Sequence, residues 1–290
     1  MYKLYKTIRY YAGYSNFENI RHPKTGIHIT FSSGITEDII NKVVESFSQP
    51  NSKFNNWYFK CIANNINIRS VKIDAVTMFG PNIGFIYLTA DSSVIKNKDT
   101  EEMQQLPGVT FIRGDAVCCL FVIKNTTDDT YNMVLVEQAR VPISQRCLET
   151  PAGMLDGSNQ FGGTMVKEIK EETTIDISGH AYMTKSEVEN TSKLPFHTLM
   201  ELGEFIPSQG GCDEKLKVFA YVCEKSQKEI AKINERITGE ASEHEHIIVK
   251  VQDLTWENID ATNDSKLLVA ASKFDRSYPD IIKKKPRHFY

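Results

Sequence analysis

No CxxC pair occurs anywhere in the chain, although it carries six cysteines. Cys61, Cys118, Cys119, Cys147, Cys212 and Cys223 lack the spacing that zinc sites use. Cys118 and Cys119 fall in an apolar run of the kind that often hides free thiols. All six read as reduced cysteines of a cytosolic protein, so a cytoplasmic location is expected. An apolar run near the ~20 residues needed to span a bilayer is also missing, and no membrane partner is expected. Neither sign of charge dominates: 34 Lys and Arg stand against 37 Asp and Glu, a net charge of −3. That balance supplies no general drive toward nucleic acid, and leaves room only for a local basic pocket. The opening MYKLYKTIRYYAGYSNF lacks the apolar core of a signal peptide. Its aromatic and basic mix leaves a transit peptide as the second reading. Neither an internal repeat nor a low-complexity tract is visible.

What is present is periodicity. EDIINKVVESF, with acids in its first turn, and FNNWYFKCIANN both carry apolar residues at helical spacing. SVKIDAVTMF and IGFIYLTADSSVI read as strands around Gly80-Pro81-Asn82. The polar segment 97–107 ends at Pro107-Gly108, and a domain boundary is expected there. Beyond it VTFIRGDAVCCLFVIKN, TYNMVLVEQARVP, LMELGEFIPSQ, LKVFAYVCE and HIIVKVQDL read as strands. A polar insertion, KSQKEIAKINERITGEASEHE, separates the last two. A helix is expected from about Phe161 to Thr173, with Met165, Val166 and Ile169 in a stripe opposite its acids, and LLVAASKFDRSY suggests a final helix. Strands on both sides of a helix, with irregular linkers, indicate an α+β domain with mixed sheets. Residues 1–108 are expected to form a smaller N-terminal α/β domain, 109–275 the second domain, and 276–290 a basic tail.

The segment from Gly153 to Ile175 carries the chemistry. Its KEIKEE places Glu168 one helical turn from both Glu171 and Glu172. Like charges at those spacings cost a few tenths of a kcal/mol each. A hard cation held by carboxylate oxygens removes that cost, and Mg²⁺ suits such ligands. A solvated helix face is the plain reading of the same pattern. The preceding PAGMLDG loop, whose glycines let backbone approach a ligand, weighs toward a site. Arg140 in EQARVP has the two-pronged donor geometry that grips phosphate oxygens, with a surface ion pair as its plain reading. Gly210 and Gly211 allow either a closing loop or a simple tight turn. His244 and His246 read as surface residues.

The segment resembles a Nudix box, G-x5-E-x7-R-E-U-x-E-E-x-G-U with U apolar. Gly153, Glu168, Ile169, Glu171, Glu172 and Ile175 match its spacing. The flanks VLVEQARVP, LETPAGMLD and FIPSQGGCDEKLKVFAY resemble the ADP-sugar and ADP-ribose diphosphatase branch. SSGITEDIINKVVES and DAVTMFGPNIGFIYLTAD resemble the N-terminal region of plant-type ADP-sugar diphosphatases. The likeness spans residues 30 to 275. Three positions depart from the pattern: Asn159 (or Gln160, if the loop length shifts) stands for the first glutamate, Lys167 for the arginine and Thr174 for the glycine. Lysine lacks the planar fork of arginine, and a β-branched residue fits a left-handed cap poorly.

The resemblance implies an α/β/α sandwich and Mg²⁺-dependent cleavage of a nucleotide sugar, with Mn²⁺ as the substitute metal. It implies Glu168, Glu171, Glu172 and the Gly153 carbonyl as metal ligands. Glu214 is the first candidate for general base and Glu172 the second. Arg140, Glu149 and Gly153 are implied as substrate contacts, and Glu149 as a further metal contact or a brace for the loop. Related enzymes are homodimers that pack N-terminal elements across the partner, so a homodimer is implied here. UDP-sugar hydrolysis and nucleotide-sugar binding without turnover are the competing functions.

Overall fold

A computed structural model of the chain describes residues 20–97, 99–155, 161–239 and 246–283. They fall into two compact units. The first takes the described residues up to Gly114 and, from later in the chain, Ser208–Glu214. The second takes Asp115–Pro207 and the described residues from Lys215 onward.

The first unit is built on a six-stranded sheet. Strands β1 (Ile20–Arg21), β2 (His28–Phe31), β3 (Asn67–Phe79), β4 (Asn82–Asn97) and β5 (Glu102–Leu106) are neighbours in that order, and β6 (Val109–Ile112) pairs with β4. β2 and β3 are parallel, so a crossover must join them. Helices α1 (Glu37–Ser46) and α2 (Lys53–Ala63) supply it. Glu37 and Asp38 favour the start of α1, and the Ser52 hydroxyl caps α2 by accepting the Asn55 N–H. Ile40, Val43, Phe54 and Trp57 then share one core with Ile29, Val71, Ile73 and Leu88. The segment 97–107, read from the sequence as a linker, contains β5. That strand is exposed along most of its length and shows no apolar alternation, so the pattern does not reveal it. β6, assigned from the sequence to the second domain, completes this sheet, and Pro107-Gly108 is a break along one sheet edge.

The second unit holds a nine-stranded mixed sheet. Strands β11 (Ala181–Met183), β12 (Thr198–Phe205), β13 (Leu216–Lys225), β7 (Ala116–Asn125), β8 (Tyr131–Arg140), β15 (Ile247–Asp253) and β14 (Ile237–Thr238) are adjacent in that order. β10 (Ala152–Met154) pairs with β7, and β9 (Gln145–Glu149) with β8. β7 and β13 run parallel at the centre and are almost continuously apolar, because both faces are covered. Successive β7 residues feed two layers. Val117, Cys119 and Phe121 meet Met165 and Ile169 of helix α3 (Phe161–Thr173). Cys118, Leu120 and Val122 share the other layer with Leu267, Ala270 and Phe274, which belong to a later helix spanning Ser265–Ser277. Each buried side chain of that size contributes about 1.5–3 kcal/mol. The outcome is the α/β/α sandwich that the resemblance implied.

Three shorter helices complete the unit: α4 (Lys185–Glu189), α5 (Gln227–Ile233) and α6 (Trp256–Ala261), with Ser265–Ser277 following as α7. α5 occupies the polar insertion. The Glu229 carboxylate accepts the Ser226 N–H at 2.8 Å, and Ile230 and Ile233 are buried. Past α7, Tyr278 and Ile282 are buried in the core, so the segment read as a tail contributes to the fold up to that point.

Two features of α3 depart from its sequence pattern. Glu172 is buried on the same face as Met165 and Ile169, which corrects the expectation that every acid lies opposite the apolar stripe. The helix ends at Thr174 in the left-handed region, φ 61°, where its N–H donates to the Lys170 carbonyl at 2.9 Å. This is the position where the sequence pattern calls for glycine, and a side chain there costs about 1–2 kcal/mol. Arg236 donates to the Thr174 hydroxyl and offsets part of that cost. Thr174→Gly is therefore expected to raise the stability of the protein by about 1 kcal/mol, read from denaturant unfolding; an unchanged or lower midpoint would contradict the strain.

Candidate active site

The β8–β9 ribbon presents a polar face. Its register sets Gln138 opposite Cys147 and Arg140 opposite Gln145. Alternation along the strands puts Glu149 on the same side. Arg140 grips Glu149 with both prongs: Nε to Oε1 at 2.7 Å and Nη2 to Oε2 at 3.0 Å. Lys266, in the first turn of α7, donates to Glu149 Oε2 at 2.9 Å and to Asp264 Oδ1 at 2.9 Å. The other Asp264 oxygen accepts the Thr150 N–H at 2.9 Å. One buried carboxylate thus joins β8, β9 and the start of α7.

The charge states follow from these contacts. Burial opposes ionisation of Glu149, but its bonds to Arg140 and Lys266 outweigh burial and hold it below the ordinary carboxylate value. Burial also opposes the Arg140 cation, and the Glu149 fork with the fields of Glu149 and Glu172 raises it all the same. Lys266 is raised in the same way, with Asp264 and Glu149 overcoming burial.

The helix acids divide between two tasks. Glu172 is 4% exposed, and its Oε2 accepts the Ala152 N–H at 3.1 Å. Its main-chain carbonyl accepts the Thr238 hydroxyl at 2.6 Å, which ties the helix end to β14. Glu168 packs its carboxyl directly on the Cα of Gly153, and a Cβ at that position would overlap the carboxyl group. A side chain at this position would displace the Glu168 carboxyl, so glycine is what lets the two lie in contact. Glu171 is half-buried, with Lys167 Nζ 3.5 Å from its Oε2. Lys167, standing where the family pattern has arginine, reaches toward the next turn of its own helix through this 3.5 Å approach. Among the described residues no three His, Cys, Asp or Glu side chains are gathered into a ready-made metal cage. The donor set itself suits a hard cation, since Glu168 and Glu171 offer only oxygen and Glu168 lies in a notch against backbone.

Glu214 belongs to the first unit, where it is 9% exposed and pairs with Arg113 at 3.0 Å. The GGCDE loop around it is pinned. Phe111 N–H donates to the Gly211 carbonyl at 2.8 Å, and Asp213 Oδ1 accepts the N–H groups of Arg113 and Gly114 at 2.8 and 3.1 Å. Of the two sequence readings of Gly210 and Gly211, the geometry favours a fixed turn. His246 is exposed, as expected of a surface residue. Asn159, Gln160 and His244 lie outside the described residues.

Sequence reasoning brought Arg140 and Glu149 forward separately and did not pair them. It missed Lys266 and Asp264, which lie 117 and 114 residues from their partners. A signal for Asp264 was present, because an aspartate just before SKLLVAAS is a helix N-cap.

No family model matches the chain. It is 31% identical over 262 residues to "Nudix hydrolase 14, chloroplastic" of Arabidopsis thaliana, across 87% of this chain and 78% of that protein. A 51-residue stretch is 41% identical to "Putative nudix hydrolase 2" of Caenorhabditis elegans, covering 18% of this chain and 22% of that one. A solved structure described as "Crystal structure of ADP compounds hydrolase" superposes with a TM-score of 0.47 at 12% identity, over 73% of this chain and 93% of that one. The chain belongs to the Nudix hydrolase family, and its activity is that of a hydrolase.

Removing one partner from a buried charge network leaves the rest uncompensated. Glu149→Gln is expected to cost about 3 kcal/mol, the lower end for a broken buried pair, because Arg140 retains access to water. The sign with pH is fixed by the depressed pKa. The contribution of Glu149 is complete above its ordinary value of 4.5 and is lost as pH falls through the lower folded value. Unfolding curves of the wild type and Glu149→Gln should therefore converge in acid; a constant difference down to low pH would refute the assignment.

Proposed function

We propose that the protein hydrolyses the diphosphate bond of a nucleoside diphosphate sugar, with ADP-glucose or ADP-ribose as substrate and AMP and a sugar phosphate as products. The observation that carries this reading is the carboxyl of Glu168 seated on the backbone of Gly153, with Glu171 one turn further on. Hard oxygen donors beside an open backbone suit a divalent cation and a phosphate chain. Membership of the Nudix hydrolase family supports the reaction class. The choice of an ADP-sugar rests on the likeness of the flanking segments to that branch.

In this reading Glu168, Glu171 and the Gly153 carbonyl hold Mg²⁺, or Mn²⁺ in its place, with Glu172 as a further ligand. When bound, the metal neutralises phosphate oxygens and lowers the pKa of an attacking water. Glu172, hydrogen-bonded to the Ala152 N–H, holds the helix to the strand that carries Gly153. Arg140 orients the diphosphate or terminal ribose with the guanidinium edge that Glu149 does not occupy, and Glu149 fixes that orientation. Glu214 is assigned as general base, with Glu172 as the second choice. A homodimer and a cytoplasmic location complete the reading. Among the described residues no helix is long and apolar enough to cross a membrane.

One observation favours a second reading. Lys167 Nζ lies 3.5 Å from Glu171 Oε2, and an ammonium does not give the two-pronged hold of a guanidinium fork. A binder of nucleotide sugars without turnover would tolerate that loss. UDP-glucose is the competing substrate. AMP or UMP release from ADP-glucose, ADP-ribose and UDP-glucose, with Mg²⁺ and with a chelator, separates the three. The expected result is metal-dependent AMP release. Glu171→Gln and Glu172→Gln should each lower it by more than the roughly 10–100-fold seen when only a supporting group is lost. No turnover of any nucleotide sugar with metal present would leave the binding protein as the function.

A further inference from the structure

We propose that the segment 235–239, through Thr238 and Arg236, is a positioning arm for the acid-bearing end of α3 and sets the affinity of the protein for its divalent cation. The proposal rests on the reading of Glu171 and Glu172 as metal ligands; the contacts between arm and helix do not.

Both acids lie in the last turn of α3. That end of a helix is the negative pole of its dipole, and its last four carbonyls have no partner within the helix. Acids are disfavoured there, so something must hold them in place. A carboxylate can be fixed directly, by a two-pronged donor, or through the backbone that carries it. Lysine at position 167 does not supply the two-pronged donor.

The backbone is held instead. The Gly239 N–H donates to the Glu171 carbonyl at 3.4 Å, and the Thr238 hydroxyl donates to the Glu172 carbonyl at 2.6 Å. Arg236 donates to the Thr174 hydroxyl, which brings a cation to the negative end of the helix. The two residues whose carbonyls the arm engages are the two whose side chains are the candidate ligands.

The arm is itself anchored. Glu235 N–H donates to the Val249 carbonyl and Val249 N–H to the Arg236 carbonyl, both at 2.8 Å. Ile237 and Thr238 pair with Ile248 and Ile247 of β15. Lys250 reaches both Glu235 oxygens at 2.9 Å. On the chain side, Ile230 and Ile233 of α5 are buried in the same core layer as Met165 and Ile169 of α3. A helix end tied to so fixed a segment presents its carboxylates in one place before the metal arrives, and less ordering is left to oppose binding. Linkage makes the effect mutual: whatever the arm adds to metal binding, bound metal returns to the stability of the arm.

Thr238→Val keeps the shape and removes the donor, while Thr238→Ser keeps the donor. Mn²⁺ dissociation constants of the full-length proteins, from electron paramagnetic resonance of the free ion, are compared with their unfolding midpoints. The expected result is Mn²⁺ binding weakened about 10-fold in Thr238→Val, the lower end for loss of a supporting group, and restored in Thr238→Ser. A bond that served stability alone would lower the midpoint of Thr238→Val and leave the affinity of the folded protein unchanged, and that result overturns the proposal. The wild type gives a second readout that needs no variant to fold. Saturating Mg²⁺ should slow amide hydrogen exchange across 235–239 as well as at the end of α3; slowing in α3 with 235–239 unchanged also overturns the proposal. A wild type that binds no Mn²⁺ overturns the metal reading itself, and the proposal with it.

Discussion

A single buried carboxylate, Glu149, lies between Arg140 and Lys266, and the geometry of the second unit around the site depends on it. A charge in that position is costly to bury and stable only when fully paired. The pairing fixes three pieces of chain. Arg140 is the last residue of β8, Glu149 the last of β9, and Lys266 belongs to the first turn of α7. Thr150, the next residue, is held in turn by Asp264. Gly153 is reached three residues later, so the ionic clamp sets where the backbone meets Glu168.

The helix on the opposite side of that backbone divides its acids by burial. Glu172 faces inward and spends a carboxylate oxygen on the Ala152 N–H, which makes it a brace as well as a candidate ligand. Glu168 and Glu171 are half-buried and turned toward the backbone notch and Lys167. The weak points of the frame are physical and local. Thr174 carries a side chain where the backbone favours none, and Lys167 gives a point charge where a fork would hold a carboxylate in one plane. Both change how firmly the acids are held and leave the acids themselves in place.

The sandwich was legible in the sequence because β7 and β13 are long, apolar and distinct from the polar segments between them. The acid-bearing helix was legible because its charges repeat one turn apart. β5 was not, since a polar edge strand has no apolar face to show. The inward turn of Glu172 was hidden by its charge, although its spacing of seven residues from Met165 places it on the same stripe. The clamp could not be read at all. Lys266 reaches Glu149 across 117 residues of chain, and only folding brings such partners together. Nor did the sequence show that the GGCDE loop is pinned, because its anchors are backbone groups of Phe111, Arg113 and Gly114.

The central claim is that Glu168, seated on Gly153, is a ligand of a divalent cation. The most direct measurement is the Mn²⁺ dissociation constant of the full-length protein, followed by electron paramagnetic resonance of the free ion, for the wild type and Glu168→Gln. The substitution keeps the shape and the contact with glycine but removes the charge. The account predicts clear Mn²⁺ binding by the wild type and a loss of at least about 10-fold in the variant, the minimum for disturbing even a supporting group. Equal affinity in the two proteins, with both folded, would contradict it.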